Sequence, residues 1–288
     1  MSANVTILRP DGLNGKIKKI QIGGAERLQV ISDFDRTLTY GSVNGVPTPS
    51  IIAMLRDGHH LTSDYAPKAN ALFDHYHPIE ADLSIPLSER IKAMEDWWAT
   101  HNQLLIDSGL TKADLEDIAT KGSIEFREGA LTLFEFLSRH DIPMVVMSAS
   151  GSGDAIPLFF QHHNCNYSNM TYIINQFNYD ELGNVISTKG QPIHSLNKNA
   201  SHIVNDPMLS KRFSTRSNLI ILGDSIGDLD MVKGFAYENL ITIGFLNADY
   251  NKSRDAYLRE FDVVIEGDGD INYVLNLIRR LTNGIVNK

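Results

Sequence analysis

The sequence has one cysteine and a deficit of positive charge, and each shortage excludes a class of protein. Cys165 has no partner for an internal disulfide, which is typical of a reducing compartment. The 288 residues carry a net charge of −9, whereas binding a nucleic-acid polymer or an anionic membrane requires a basic face. No apolar run reaches the roughly 18 residues of a membrane span, and residues 1–10 lack the layout of a signal peptide. We therefore expect a cytoplasmic protein with a small-molecule ligand. A monomer or weak dimer is expected as well, although none of these observations determines the oligomeric state.

Short apolar runs recur along the chain and predict buried strands. Helical patterns separate most of them, for instance Leu131, Phe134 and Leu137 before the second run. Such alternation is typical of an α/β fold in which helices cover both faces of a parallel sheet. The predicted strands lie at 28–34, 142–148, 218–223, 240–244 and 261–265.

The stretch 41–127 contains no convincing strand and predicts a helical insertion after the first strand. An amphipathic helix follows Pro86, and Gly109 is placed to end it. Thr111-x-x-Asp114 resembles a capping box that starts a shorter helix. The apolar stripe of the longer helix is predicted to be Ile91, Met94, Trp98 and Leu105.

These patterns predict two domains. The catalytic α/β core comprises residues 1–40 and 128–288, and the helical cap comprises residues 41–127. Within the core, segment 172–190 has the pattern of a β-hairpin that turns near residues 182–184.

Carboxylates follow two of the predicted strands. Asp33 and Asp35 come directly after the first strand, and two residues that lie two apart on an extended chain point the same way. Asp224 and Asp228 follow strand 218–223 between glycines. An isolated Asp-x-Asp is more often a solvated turn. Because ligands bind at the carboxyl ends of parallel strands, however, two acid pairs at one edge predict a cation-binding catalytic site.

Two further polar residues are expected at the same edge. Ser148 ends strand 142–148, and Lys198 lies in the polar stretch 193–199. Each carries little information alone, because polar residues of this kind are common on protein surfaces. A hydroxyl, a lysine and two acid pairs that converge on one edge predict a single functional site.

Five segments resemble, in the same order, the haloacid dehalogenase-like hydrolases, and in particular their cytosolic pyrimidine 5′-nucleotidase branch, 5′-nucleotidase III. The first is GGAERLQVISDFDRTLT at 23–39. The resemblance covers roughly residues 16–280 and implies a Rossmann-like core with an inserted helical cap. The other segments are DWW (96–98), IPMVVMSA (142–149), IHSLNKN (193–199) and LGDSIGDLDM (222–231).

The resemblance also implies roles for individual residues. Asp33 is expected to be the nucleophile and Asp35 the acid/base. Mg²⁺ is expected on Asp33, on Asp224 and on the backbone carbonyl of Asp35. The remaining expected residues are Ser148 and the Ala149 backbone for the phosphate oxygens, Lys198 to neutralise them, and Asp228 to support the metal through water or to orient Lys198.

The expected activity is Mg²⁺-dependent hydrolysis of CMP and UMP. Asp96 stands where the family usually has a glutamate that faces the base. At the position of Trp98, family members that prefer pyrimidines resemble one another in having tyrosine, whereas those that accept 7-methylguanosine monophosphate have tryptophan, as this chain does. The alternatives are therefore a 7-methylguanosine monophosphatase, a phosphatase or phosphotransferase for another small ester, and, more remotely, a non-catalytic nucleotide-binding module. Segment 148–154 is also one residue longer than the family pattern.

Overall fold

The computed structural model describes residues 4–199, 201–204, 207–247 and 250–282 and is built on a seven-stranded sheet in the order β1-β11-β10-β9-β2-β5-β6. All neighbouring strands are parallel except β1, which pairs antiparallel with β11. The strands are β1 Asn4–Thr6, β2 Leu28–Ser32, β3 Ser42–Val43, β4 Val46–Pro47, β5 Met144–Met147, β6 Met170–Ile173, β7 Gln176–Tyr179, β8 Val185–Lys189, β9 Asn218–Gly223, β10 Asn239–Leu246 and β11 Val263–Glu266.

Helices connect the parallel strands and pack on the sheet. The α-helices are α1 Pro10–Gly23, α2 Ile51–Asp57, α3 Tyr65–Ala81, α4 Leu87–Asp107, α5 Lys112–Lys121, α6 Ala130–Arg139, α7 Ala155–His162, α8 Ser201–Val204, α9 Pro207–Phe213, α10 Tyr250–Glu260 and α11 Asn272–Thr282. Two short 3₁₀ helices, at Ala25–Arg27 and Ile226–Val232, complete the described elements.

The sheet is buried on both faces, as β9 illustrates. Ile220 and Leu222 belong to the large core that also contains residues of α1, α6, α7 and α11. Leu219 and Ile221 point to the opposite face and join a second apolar cluster. Because side chains alternate along a strand, a run that is apolar at every position must be covered on both sides. The predicted α/β class with a parallel sheet is confirmed.

All five predicted strands are present, with ends that differ by a few residues. Two strands of the sheet were not predicted, β1 and β6. Residues 172–173 were assigned to the hairpin, but they belong to β6, and the hairpin itself is β7–β8 with its turn at 180–184. Leu131 is 46% exposed, so the buried stripe of α6 is Leu133, Phe134 and Leu137.

Helices α2 to α5 occupy most of segment 41–127. The expectation that this segment contains no strand was wrong, since β3 and β4, each two residues long, pair there as a hairpin. The Thr111 capping box of α5 is present. On α4, Trp97 is buried and Trp98 is only partly buried, which corrects the predicted stripe. The division into core and cap stays a prediction, and its ends at 1–3 and 283–288 lie outside the described residues.

Candidate active site

The carboxyl ends of three adjacent strands meet at one cavity, which we call the acidic cleft. Asp33 follows β2, Ser148 follows β5 and Asp224 follows β9. Since β2 lies between β5 and β9, the three side chains reach the same edge of the sheet. The cleft is lined by Asp33, Asp35, Ser50, Ile52, Ser148, Ala149, Ser150, Ser195, Lys198, Asp224, Ser225, Gly227 and Asp228.

Lys198 lies at the centre of the acidic cleft and is only 6% exposed. Its Nζ donates to Asp33 Oδ1 at 2.5 Å and to Asp228 Oδ1 at 2.7 Å. The other Asp228 oxygen accepts the backbone N–H of Ser225 at 3.0 Å. Both oxygens of Asp228 are therefore engaged within the protein, which fits the expected role of orienting Lys198.

The carboxyl groups of Asp33 and Asp224 resist ionisation. Burial is the main cause, and it raises the pKa of Asp33 to about 7 although Lys198 acts in the opposite direction. Burial and the neighbouring Asp33 and Asp228 carboxylates raise the pKa of Asp224 well above its ordinary value. Burial alone would lower the pKa of Lys198, but Asp228 and Asp33 together raise it, so Lys198 is charged. Lys198 therefore supplies one positive charge beside the three carboxyl groups of Asp33, Asp224 and Asp228.

The carboxylates of Asp33, Asp224 and Asp228 form a compact group that fits a cation. One ligand oxygen from each lies within 4.8 Å of the others. Asp33 Oδ2 is buried and has no hydrogen-bond partner among the described residues. Hard carboxylate oxygens are the ligands that Mg²⁺ prefers, and Mg²⁺ needs few of them from protein because it keeps several waters.

Asp35 lines the same cleft but lies apart from this group. Its Oδ1 accepts a long hydrogen bond, 3.4 Å, from the backbone N–H of Ile51 at the start of α2. Burial raises the pKa of Asp35 to about 6, and the Ile51 N–H limits the rise. A carboxyl group with this pKa exchanges its proton readily near neutral pH, as a general acid/base must.

The loop after β5 is held by a residue that the sequence did not reveal. Ser148 is 1% exposed, and its Oγ accepts the Ser150 N–H at 3.1 Å. Asn175 donates to the carbonyls of Ser150 at 3.0 Å and Ile193 at 2.8 Å, and its Oδ1 accepts the Ile193 N–H at 2.8 Å. Asn175 therefore ties the loop of Ser148 to the loop that leads to Lys198.

Arg127 is a second residue that sequence reasoning missed. Its side chain is fully buried, and it donates to the backbone carbonyls of Thr37 at 2.8 Å and Arg36 at 2.6 Å. It also forms an ion pair with Asp268 at 3.1 Å. The guanidinium thereby fixes the backbone that follows Asp35, where Arg36 adopts a φ of 59°. An isolated arginine after a helical segment carries no pattern that identifies such a role.

A second cavity, the aromatic pocket, adjoins the acidic cleft. Helices α2, α3 and α4 contribute most of its walls, and Trp97 and Trp98 pack at right angles with ring centroids 5.0 Å apart. Ser50, Ile52, Ala149 and Ser150 line both cavities, so the two are adjacent. The pocket is lined by Ser50, Ile52, Arg56, Tyr65, Ala69, Phe73, Trp97, Trp98, His101, Ala149, Ser150 and Gly151.

The two residues predicted to contact the base differ in position. Trp98 lines the aromatic pocket, and its Nε1 is buried without an acceptor among the described residues. Asp96 is exposed and lines neither cavity. The role predicted for Asp96 stays a prediction, whereas Arg56 and His101, which the sequence did not single out, reach the pocket.

Comparison with known proteins identifies the family. The family model "Pyrimidine 5′-nucleotidase (UMPH-1)" matches residues 36–282. The chain belongs to this family. It is therefore a 5′-nucleotidase, and the predicted relationship to 5′-nucleotidase III is confirmed. Within the described residues, no helix is long and apolar enough to cross a membrane.

Curated relatives and solved structures agree with this assignment. The chain is 34% identical to the 7-methylguanosine phosphate-specific 5′-nucleotidase of Gallus gallus over 96% of each protein. It is 32% identical to the Homo sapiens protein of that name, over 98% of this chain and 93% of the other. The crystal structure of cytosolic 5′-nucleotidase IIIB bound to cytidine superposes with a TM-score of 0.86 at 26% identity, over 97% of this chain and 94% of that one.

A more distant structure shows the fold. A HAD family hydrolase of Salmonella enterica serovar Typhi is 12% identical and superposes with a TM-score of 0.55 over 88% of this chain and 71% of that one. The core therefore has the haloacid dehalogenase-like fold, as the resemblance of the motifs implied.

Proposed function

We propose that this 5′-nucleotidase hydrolyses the pyrimidine nucleotides CMP and UMP through an aspartyl-phosphate formed on Asp33. The observation that carries the proposal is that the two cavities lie side by side and share Ser50, Ile52, Ala149 and Ser150 as lining residues. If the phosphate binds beside Asp33 and Lys198, the rest of the nucleotide can extend past the shared residues into the aromatic pocket. Preference for pyrimidines is supported by the family description and by the cytidine bound to the similar solved structure.

Mg²⁺ is the proposed cofactor, and Asp33, Asp224 and the backbone carbonyl of Asp35 are its proposed protein ligands. The unpartnered Asp33 Oδ2 and the excess of carboxylates over cations support this assignment. Like charges about 4 Å apart repel by roughly 4 kcal/mol at an effective dielectric constant near 20. A bound Mg²⁺ supplies positive charge that offsets the repulsion between the Asp33 carboxylate and the phosphate dianion.

Asp33 then acts as the nucleophile. One carboxylate oxygen forms a bond to phosphorus while the bond from phosphorus to the ribose O5′ breaks, and this splits the displacement into two steps. Lys198 stays charged and neutralises the phosphoryl oxygens from its position 2.5 Å from Asp33. Ser148 and the backbone N–H of Ala149 hold those oxygens at the end of β5.

Asp35 moves the protons in both steps. It donates its proton to O5′ as the nucleoside leaves, then takes a proton from the water that attacks the aspartyl-phosphate. That attack breaks the bond from phosphorus to Asp33, releases inorganic phosphate and restores both carboxyl groups. The pKa of Asp35, raised to about 6 chiefly by burial, suits a group that must serve in both protonation states.

7-Methylguanosine monophosphate is the second candidate substrate. The relatives from Gallus gallus and Homo sapiens are named for it. The position of Trp98 in the aromatic pocket also favours it, since an indole face attracts a cationic base by about 0.5–2 kcal/mol. Asp96 is the proposed acceptor for the base edge in either case, although it is exposed in this structure.

Phosphate release from a panel of nucleotides tests the proposal. We expect CMP and UMP to be hydrolysed with Mg²⁺ and not with EDTA, and dCMP, GMP, AMP and 7-methyl-GMP complete the panel. Adding an excess of a second nucleoside distinguishes hydrolysis from transfer, because a phosphotransferase would phosphorylate it. No phosphate release from CMP or UMP would refute the pyrimidine assignment.

Trp98→Tyr tests the second candidate. If the indole stacks on 7-methylguanine, the kcat/KM for 7-methyl-GMP falls more than that for CMP, by a few-fold up to about thirtyfold at ~1.4 kcal/mol per factor of ten. If Trp98 instead packs only within the cap, both substrates lose activity alike and the melting temperature falls. Steady-state kinetics and thermal denaturation of the variant separate the two results.

A further inference from the structure

Arg56 places a positive charge in the aromatic pocket. The side chain is 25% exposed, and its closest ionic partner is Asp57, whose carboxylate is 71% exposed and lies 3.7 Å from Arg56 Nε. Among the described residues, none accepts a hydrogen bond from the guanidinium. A guanidinium has five N–H donors, and a largely covered one normally uses them. The donors of Arg56 are therefore available to a molecule in the pocket.

Two neighbours of Arg56 add to this chemistry. The Trp98 Nε1–H is buried and has no acceptor among the described residues. Burial and the charge of Arg56 lower the pKa of His101 to about 4, so the imidazole is neutral, and it forms a 3.1 Å hydrogen bond with the Tyr65 hydroxyl. None of the residues that line the pocket is acidic. The pocket therefore offers hydrogen-bond donors and a net positive charge.

We propose that Arg56 determines which base the enzyme accepts: it recognises the carbonyl oxygens of a neutral base and excludes a cationic base such as 7-methylguanine. This inference rests on the proposed function, because it places the base in the aromatic pocket. Uracil and cytosine each present a carbonyl oxygen to which a guanidinium or an indole N–H can donate. A base with delocalised positive charge is repelled by a guanidinium held in the same pocket.

Arg56 also alters the aromatic surface on which a cationic base would rely. Its guanidinium carbon lies 5.9 Å from the centroid of the Phe73 ring, within the range of a cation–π contact. The Phe73 ring packs against Trp97 with centroids 6.0 Å apart. The Phe73 and Trp97 rings therefore already have the guanidinium of Arg56 beside them. The positive charge of the pocket comes from a single side chain of α2, that of Arg56. The base that this chain prefers can therefore differ from the 7-methylguanosine phosphate for which its relatives are named.

Kinetics of Arg56 variants test the proposal with substrates matched in size. GMP and 7-methyl-GMP share a ring system and differ by one methyl group and its charge. We expect Arg56→Met to raise the 7-methyl-GMP to GMP ratio of kcat/KM by about tenfold and to lower kcat/KM for UMP by about tenfold, each close to 1.4 kcal/mol. Arg56→Lys keeps the charge and should keep the wild-type ratio. Lys68→Met, which removes an exposed charge of α3 outside the pocket, should change each value less than twofold.

Binding measurements keep this test separate from the test of the proposed function. Calorimetric titration of Asp33→Asn, with and without Arg56→Met, measures the affinity for UMP, GMP and 7-methyl-GMP without turnover. A tenfold shift in the relative affinities supports the role of Arg56 even if none of the nucleotides is hydrolysed by the wild type. An unchanged 7-methyl-GMP to GMP ratio in both kinetics and binding, with folded Arg56→Met protein, overturns it. Wild-type protein that prefers 7-methyl-GMP over UMP overturns it as well.

Discussion

Gly223 and Asp228 approach so closely that a Cβ on Gly223 would lie 2.4 Å from the Cβ of Asp228. Asp228 in turn holds Lys198 at 2.7 Å. A glycine beside catalytic carboxylates often lets a ligand approach the backbone. Gly223 instead makes room for the carboxylate that orients Lys198.

Gly223→Ala should therefore impair catalysis through Asp228. The added methyl group forces Asp228 away and misplaces Lys198, and displacements of about 1 Å in a catalytic site can cost 10²-fold in rate. We expect kcat/KM for CMP to fall between tenfold and a hundredfold and unfolding free energy to fall by about 1–3 kcal/mol. Gly15→Ala is the control, since a Cβ there meets nothing within 4 Å. Wild-type kinetics in Gly223→Ala would show that the position of Asp228 is unimportant.

Asp33→Asn should abolish phosphate release and make the metal-free protein more stable at neutral pH. Burial raises the pKa of Asp33 from 3.8 to about 7, so between these values the folded state holds a proton that the unfolded chain releases. The contribution of Asp33 to stability therefore falls as pH rises through this window. Asparagine does not titrate, so the melting temperature of Asp33→Asn relative to wild type should increase from pH 5 to pH 7.5.

The size of this effect is limited because the asparagine of the Asp33→Asn variant lacks the charge that pairs with Lys198. We expect about 1 kcal/mol, or a melting-temperature gain of roughly 2–4 °C at pH 7.5 in EDTA. Asp230→Asn, which removes a half-exposed acid of the neighbouring 3₁₀ helix, should show no such trend. Full activity in folded Asp33→Asn protein would exclude an aspartyl-phosphate.

Metal exchange should distinguish Mg²⁺ from Ca²⁺. We expect EDTA to stop hydrolysis of CMP, Mg²⁺ to restore it fully and Ca²⁺ to restore less than a tenth of it. The larger Ca²⁺ tolerates a bidentate carboxylate, and this would turn the Asp33 oxygens away from the line of attack. Initial rates in metal-free buffer with each ion added back measure the effect. Equal rates with both ions would refute the geometric reason, and unchanged rates in EDTA would refute metal dependence.

The acidic cleft could be predicted from the sequence because the ends of three strands determine its position. Asp33, Ser148 and Asp224 each follow a short apolar run, and parallel strands bring their carboxyl ends to one edge whatever the details of packing. Lys198 lies in a polar stretch and not directly after a strand, so its pattern was weak alone, and the resemblance to a family supplied its role. The edge strand β1 was missed because three residues give too short a pattern, and β6 because Met170–Ile173 is only half buried.

The aromatic pocket could not be predicted to the same depth, because it depends on how α2, α3 and α4 pack. Helix periodicity alone placed Trp98 on the buried stripe, whereas Trp97 is the buried residue, Trp98 is partly buried, and both line the pocket. Arg56 follows an apolar stretch and has no sequence pattern that distinguishes it from an ordinary surface arginine. Asn175 and Arg127 act through backbone carbonyls of distant segments, and such contacts leave no spacing in the sequence.

Asp35→Asn should separate the two chemical steps. p-Nitrophenolate leaves phosphate esters without needing a proton, so the first step on p-nitrophenyl phosphate does not depend on the acid. The second step requires Asp35 to take a proton from water, and asparagine cannot accept it. We expect rapid mixing to show a burst of one p-nitrophenolate per enzyme followed by turnover at least about a hundredfold slower than wild type, and CMP to be hydrolysed more slowly still.

Intact-protein mass spectrometry should detect the trapped phosphoryl group, and its absence from Asp33→Asn treated in the same way is the control. A variant that turns over both substrates at the wild-type rate, with no burst, would assign the proton transfers to a group other than Asp35.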